Sequence, residues 1–236
     1  MKLQHYLSKR GVFSRRVADA MINAGYVSVN NEITTHSLQM ISETDQVSFH
    51  PKIKTYAKGL GVIKMNKPRN IWTNCKQGND QKELVDLLPK KYAHYSSIGR
   101  LDKASEGLIL LTNDGVFANS FLNSGIPHKR VYYVWTKAPL SMRQQRDLSS
   151  GIQLTDGLTL PCKIMEIKKN QYEFHLFEGR NRQIRRMIEW CGTHVTKLKR
   201  LAFGDHILGG MVPGQYQFKS LESTFFERVK NAGVTY

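Results

Sequence analysis

Apolar positions Leu3, Tyr6 and Leu7 recur at helical spacing, and Gly11 breaks that helix. Ser14 suits an N-cap, and Ala18, Met21 and Ile22 line one face of a second helix that Gly25 ends. Tyr26–Val29 alternates as a strand, Asn30-Asn31 turns it, Glu32–Thr34 returns, and Val47–Phe49 makes a third short strand. Pro51 to Gly61 is polar and basic, which predicts a linker. Val62 to Lys67 then reads as a strand. Leu108 to Leu111 is an unbroken apolar run, the pattern of a strand covered on both faces, and Asn113-Asp114-Gly115 ends it with a turn. Phe117–Leu122 predicts a short helix, Arg130–Trp135 a strand, Leu140–Leu148 a helix with Arg143 and Arg146 exposed, and Thr159–Ile167 and Tyr172–Phe177 further strands. Ile184, Met187, Ile188 and Cys191 fall at i, i+3, i+4 and i+7, a core-facing helical stripe that Asn181 caps and Gly192 closes. Arg182, Arg185, Arg186 and Glu189 repeat that spacing on a nearly opposite face. Strands of mixed length with peripheral helices predict an α+β fold. The expected division is a small module over 1–50, a linker over 51–61 and a larger domain over 62–236.

Charge sharpens this picture. Lys and Arg number 35 against 19 Asp and Glu, a formal charge of +16. That excess calls for a polyanionic partner, nucleic acid first and a membrane surface second. No stretch approaches the about 18 apolar residues a membrane span needs, and Met1–Tyr6 lacks the apolar core of a signal peptide. Cys75, Cys162 and Cys191 form no Cys-x-x-Cys pair, which fits a reducing compartment without a disulfide framework. The expectation is a cytoplasmic protein. Histidines and cysteines lack zinc spacing, and neither a Walker loop nor a Gly-x-Gly-x-x-Gly fingerprint occurs, so no metal or other cofactor is implied.

The most informative chemistry lies in Gly99-Arg100-Leu101-Asp102-Lys103-Ala104-Ser105-Glu106-Gly107, ahead of the buried strand. A carboxylate on a loop beside a rigid strand suits a catalytic group; an Arg100–Asp102 loop ion pair is equally consistent with local chemistry alone. The stretch resembles the catalytic motif of the pseudouridine synthases, in the family that includes RsuA, RluB, RluE and RluF. That motif reads Gly-Arg-Leu-Asp, a small hydroxyl residue, Gly, and an apolar run ending Thr-Asn-Asp-Gly. Ser105 stands where the family usually has Thr. The resemblance is closest to the RluF branch and covers almost the whole chain. It implies a mixed, mainly antiparallel catalytic domain with Asp102 as nucleophile and Arg100 as a substrate contact.

Other segments extend the likeness. Asn66-Lys67-Pro68 resembles the family's first motif, with Asn70 where Gly is usual, and Lys67 is expected to contact RNA. Asn tolerates the left-handed conformation better than most residues. Gly179-Arg180-Asn181-Arg182-Gln183-Ile184-Arg185-Arg186-Met187 resembles the third motif. It implies Arg185 against the catalytic carboxylate, Arg182 and Arg186 on phosphates, and Arg180 on RNA. The bland alternative is a solvated basic face, but three arginines on one short helix repel one another and favour an anionic neighbour. His128–Tyr132 resembles the segment whose tyrosine lies beside the target base, here Tyr132; by pattern alone it is a half-buried strand aromatic. Residues 1–50 resemble the RNA-binding module named after small-subunit ribosomal protein S-four, on Ser14–Asp19 and Ala24–Asn30, with Arg15 and Arg16 facing RNA or simply solvent.

The resemblance implies isomerisation of uridine to pseudouridine within RNA: the base detaches from its ribose, turns, and rejoins through a ring carbon. The base must leave its stack to reach Asp102, and a nearby guanidinium keeps the carboxylate charged. Whether Asp102 adds to the ribose carbon or removes a ribose proton stays open. The expected partner is large-subunit ribosomal RNA, with small-subunit RNA and a tRNA anticodon loop as further candidates, and the expected state is a monomer. The rival functions are a non-catalytic RNA-binding ribosome assembly factor, which needs no acid in a cationic site, and a DNA-binding regulator, for which no helix-turn-helix signature is present.

Overall fold

The computed structural model describes residues 1–74, 82–122, 125 and 127–236; Cys75 lies outside the described residues. The chain forms, in order, α1 (Leu3–Lys9), α2 (Arg15–Asn23), β1 (Val27–Val29), β2 (Glu32–Thr34), β3 (Val47–Phe49), α3 (Ile53–Lys58), β4 (Gly61–Lys67), β5 (Ser96–Ile98), β6 (Glu106–Thr112), α4 (Gly115–Leu122) and β7 (Arg130–Thr136). Then follow α5 (Met142–Ser150), β8 (Gln153–Leu154), β9 (Gly157–Leu158), β10 (Lys163–Lys168), β11 (Gln171–Leu176), α6 (Gln183–Trp190), β12 (Val195–Phe203), β13 (His206–Ile207), β14 (Tyr216–Ser220) and α7 (Glu222–Asn231). They divide into two compact units, one of Met1–Val62, Thr112–Ser120 and Phe218–Tyr236, the other of Ile63–Leu111 and Phe121–Gln217.

In the first unit α1 and α2 accompany a three-stranded antiparallel sheet of order β2-β1-β3. Asn30 and Asn31 both take left-handed backbone (φ 52° and 68°), the two-residue hairpin geometry that Asn-Asn favours. Ser14 occupies the N-cap position of α2, but its hydroxyl bonds no helix amide. The segment expected as a linker carries α3, and Ile53, Ala57 and Leu60 are buried. The reason is an aromatic cluster: Phe13 lies 5.4 Å from Phe49, 5.7 Å from Tyr56 and 5.6 Å from Phe225 of α7. Asp114 caps α4 through the Val116 and Phe117 amides and takes Arg228 on its other oxygen. Burial and this carboxylate push the nearby Tyr56 hydroxyl well above its ordinary range.

The second unit holds most of a nine-stranded mixed sheet, β10-β11-β7-β12-β6-β4-β14, with β13 on β12 and β5 on β6. β10, β11, β7 and β12 pair antiparallel in succession, and β12 pairs parallel with β6. One sheet face presents Tyr132, Val134, Tyr172, Phe174 and Leu198 to a core completed by Leu148 of α5 and Ile184, Met187 and Ile188 of α6. α5 begins two residues later than its apolar pattern predicts, because Ser141 and Gln144 form a reciprocal cap. β10 begins at Lys163 instead of Thr159; Pro161, which has no N–H, does not extend the ladder.

Where β6 crosses β12, Gly107 (φ 105°) stands so close that a Cβ would lie 2.3 Å from the Arg200 carbonyl oxygen. Gly107→Ala is therefore expected to lower unfolding free energy by more than ~2 kcal/mol, since strain and a backbone clash add. A denaturant midpoint equal to wild type would show that this crossing does not require glycine.

Candidate active site

Asp102 sits in the connection from β5 to β6, and the connection is pinned from three sides. Gly99 takes a left-handed φ of 71° to turn it. Thr73 accepts the Leu101 N–H (3.1 Å) and donates its hydroxyl to the Leu101 carbonyl (2.6 Å). The Ser105 N–H closes a turn onto the Asp102 carbonyl at 3.0 Å. Asn70, with φ 65°, donates its N–H to the Lys103 carbonyl at 2.8 Å, so Asn serves the geometry for which Gly is usual.

Lys67 is fully buried, and its ammonium donates to the carbonyls of Pro68 and Ser105, each at 2.9 Å. Burial pulls its pKa down to about 8, against the opposing pull of Asp102 and Glu106. This corrects the expectation of an RNA contact: with no exposed surface, Lys67 is a strut under the Asp102 loop, held there because the carbonyls of that loop need a donor.

α6 brings the cations. Arg182 is its N-cap, left-handed at φ 49°, and takes the position expected for Asn181. Arg185 Nε lies 3.5 Å, and Arg182 Nη1 3.8 Å, from the same Asp102 oxygen, Oδ2. The Arg185 side chain is only 10% exposed, whereas that of Arg182 is 50% exposed. Arg185 Nη2 donates to Ser105 Oγ at 3.1 Å, and Ser105 is itself buried. Burial draws the Arg185 guanidinium below its ordinary value, with Asp102 pulling back the other way. Arg185 thus leaves the solvent-facing row that helical spacing assigns it, because a half-buried carboxylate eighty-three positions earlier gives it a partner.

Tyr132 is buried and lines the same small cavity as Asp102, as do Leu176, Ile184 and Leu198. Arg100 is exposed at the rim; the ion pairs of Asp102 are with Arg182 and Arg185. Arg180 and Arg186 are both ion-paired within the chain. Arg186 forms a two-pronged pair with Asp156 (2.8 and 2.9 Å), and Arg180 bonds Glu178 (2.9 Å) and the Gly157 carbonyl (2.9 Å). Both are engaged with the β8–β9 hairpin and its flank, since the Asp156 carboxylate at the hairpin turn attracts them. Pairing with Asp156 raises the Arg186 pKa and lowers that of Asp156. Arg15 and Arg16 are exposed in the first turn of α2. Among the described residues no three His, Cys, Asp or Glu side chains gather as a metal site.

Pattern alone missed Ser105 as the partner of Arg185 and the apolar walls from β11 and β12. The motif did mark a hydroxyl at Ser105, and that was the available signal. Ser105→Ala frees Arg185 Nη2 from its acceptor and is expected to lower kcat about 10-fold while KM changes little, at roughly the 1.4 kcal/mol a charged hydrogen bond is worth. Ser105→Thr retains the acceptor and should recover most of the loss. A wild-type kcat in the alanine variant would mean that Arg185 needs no such support.

Chemically, the site is one carboxylate that two guanidiniums approach at Oδ2. It can hold a charged nucleophile or base against a flat apolar and aromatic wall. A family model described as RNA pseudouridylate synthase matches residues 61–190. Dual-specificity RNA pseudouridine synthase RluF of Escherichia coli (strain K12) is 33% identical over 219 residues, covering 92% of this chain and 74% of that protein. Ribosomal large subunit pseudouridine synthase B of Bacillus subtilis (strain 168) is 32% identical over 219 residues, covering 90% and 89%. In fold, the chain is similar to the crystal structure of a pseudouridylate synthase, with TM-score 0.66 at 23% identity, over 97% of this chain and 100% of that one.

Proposed function

Because the chain belongs to the RNA pseudouridine synthases, an enzyme family that isomerises uridine to pseudouridine, we propose that Asp102 carries this reaction on a uridine of large-subunit ribosomal RNA. The observation that supports this role most is the convergence of Arg185 and Arg182 on the Asp102 carboxylate, 3.5 and 3.8 Å from Oδ2. Arg185 orients and charges the acid. Tyr132 supports the base from the wall of the cavity, and Arg100 meets the substrate at the rim. The ribosomal choice rests on relatives whose names include the large subunit and dual specificity.

Residues 1–50 act as the RNA-docking module in this proposal, with Arg15 and Arg16 on backbone phosphates, and residues 62–236 as the catalytic domain. The enzyme works as a monomer in the cytoplasm. No helix among the described residues is long and apolar enough to cross a membrane. The test is a map of pseudouridines in RNA from cells with and without this protein. A site in large-subunit RNA should revert to uridine. Reversion confined to small-subunit RNA or tRNA would replace the substrate, and no reversion in any RNA would overturn the proposal.

A further inference from the structure

The cavity beside Asp102 holds about 80 Å³. Sites for small organic ligands run from roughly 300 Å³ upward, so this cavity is narrow and the part of its wall that can move matters. Most of that wall is fixed: Tyr132, Ile184, Arg185 and Leu198 are buried. Arg180 is tied to Glu178 and to the β8–β9 hairpin. Arg182 is the exception on the carboxylate itself. Its side chain is 50% exposed, and its guanidinium lies farther from Oδ2 than that of Arg185, 3.8 against 3.5 Å. Its left-handed backbone holds a non-glycine residue at φ 49°, a conformation that costs of order 1 kcal/mol and concentrates at functional sites. Two guanidiniums on one oxygen also repel each other, and the trio carries one positive charge in excess.

We propose that Arg182 is an exchangeable cover on Asp102. In the free enzyme it pairs with the carboxylate; when RNA binds, it moves onto a phosphate next to the target uridine. The phosphate takes up the excess charge, the cavity opens, and Asp102 is left with Arg185 alone. A carboxylate with one cation fewer holds its electrons less tightly and is the better nucleophile, so docking of the correct backbone arms the acid. This rests on Asp102 being the reactive group.

The experiment uses the full chain and an RNA stem-loop carrying the mapped uridine, with either the native phosphates or an uncharged methylphosphonate beside that uridine, on each side in turn. Arg182→Ala should raise KM about tenfold and lower the salt slope of binding by about one, with kcat falling no more than about threefold. Arg182→Lys should lie between. At one of the two positions the methylphosphonate should cost wild type a similar factor in KM and cost Arg182→Ala nothing further, because the two changes remove one contact. A loss confined to kcat would place Arg182 in the chemistry beside Arg185 and overturn the exchange, as would losses that add at both phosphate positions. Asp102→Asn run alongside separates the two failures: turnover by that variant overturns the assignment of Asp102, whereas an inactive Asp102→Asn beside a wrong Arg182 signature overturns only the exchange.

Discussion

Asp102→Asn is expected to abolish pseudouridine formation, by ~10⁴-fold or more, the scale on which loss of a covalent nucleophile reads out. Asparagine keeps the shape of the side chain and the turn that Ser105 closes onto the Asp102 carbonyl, so the loop should hold. What disappears is the negative charge that pairs with Arg182 and Arg185. Binding of a polyanion has no reason to weaken, and affinity for RNA should stay within a few-fold of wild type or tighten. Single-turnover product formation and a filter-binding titration measure the two quantities separately. Substantial product from the variant would remove Asp102 from the centre of the mechanism; intact chemistry with lost binding would make it a docking residue.

The second large effect belongs to Arg185. Opposite charges 3.5 Å apart attract by about 5 kcal/mol at an effective dielectric near 20, before desolvation is subtracted. Arg185→Ala is expected to cut kcat by ~10²–10³, comparable to removal of one preorganised electrostatic donor. Single-turnover rates at saturating RNA measure that loss apart from any change in binding. Arg185→Lys keeps the charge but not the planar fork that reaches Ser105 and Asp102 together, and should fall between. Arg186→Ala, whose pair is Asp156 on the hairpin, should leave kcat near wild type. If the alanine variants of Arg185 and Arg186 exchanged these signatures, the orienting role would pass to Arg186.

Much of this was legible in the sequence wherever a local pattern and a local cause coincide. The buried run of β6, the Asn-Asn hairpin and the apolar stripe of α6 are properties of neighbouring residues, and each forms where spacing predicts. What spacing alone could not give depended on distant partners. By spacing Lys67 and Arg185 look like solvent-facing cations; the Ser105 carbonyl that Lys67 reaches lies 38 positions away and the Asp102 carboxylate that Arg185 reaches lies 83, and only the motif resemblance pointed Arg185 at that acid. The segment 51–61 misleads for another reason. Lys52, Lys54 and Lys58 dominate its composition and mask Ile53, Ala57 and Leu60, whose helical spacing was there to be found. β12 is hidden likewise, since Lys197, Lys199 and Arg200 interrupt a strand in the interior of the sheet, where Arg200 donates to the Leu108 carbonyl of β6.

The aromatic cluster of the first unit bears on how the chain is made. Phe13 and Phe225 are 212 positions apart. At ~5–20 residues per second, a ribosome needs roughly 10–40 s to add the second after the first. During that interval Phe13, Phe49 and Tyr56 can meet one another, but the ring that packs on both Phe13 and Tyr56 has not yet been synthesised. The core around Phe13 is thus among the last to close, while Ile63–Leu111 and Phe121–Gln217 can assemble ahead of it. A nascent chain stalled before α7 would hold a nearly complete second unit while Phe13 and Tyr56 of the first still lacked Phe225 and stayed open to hydrophobic-surface chaperones.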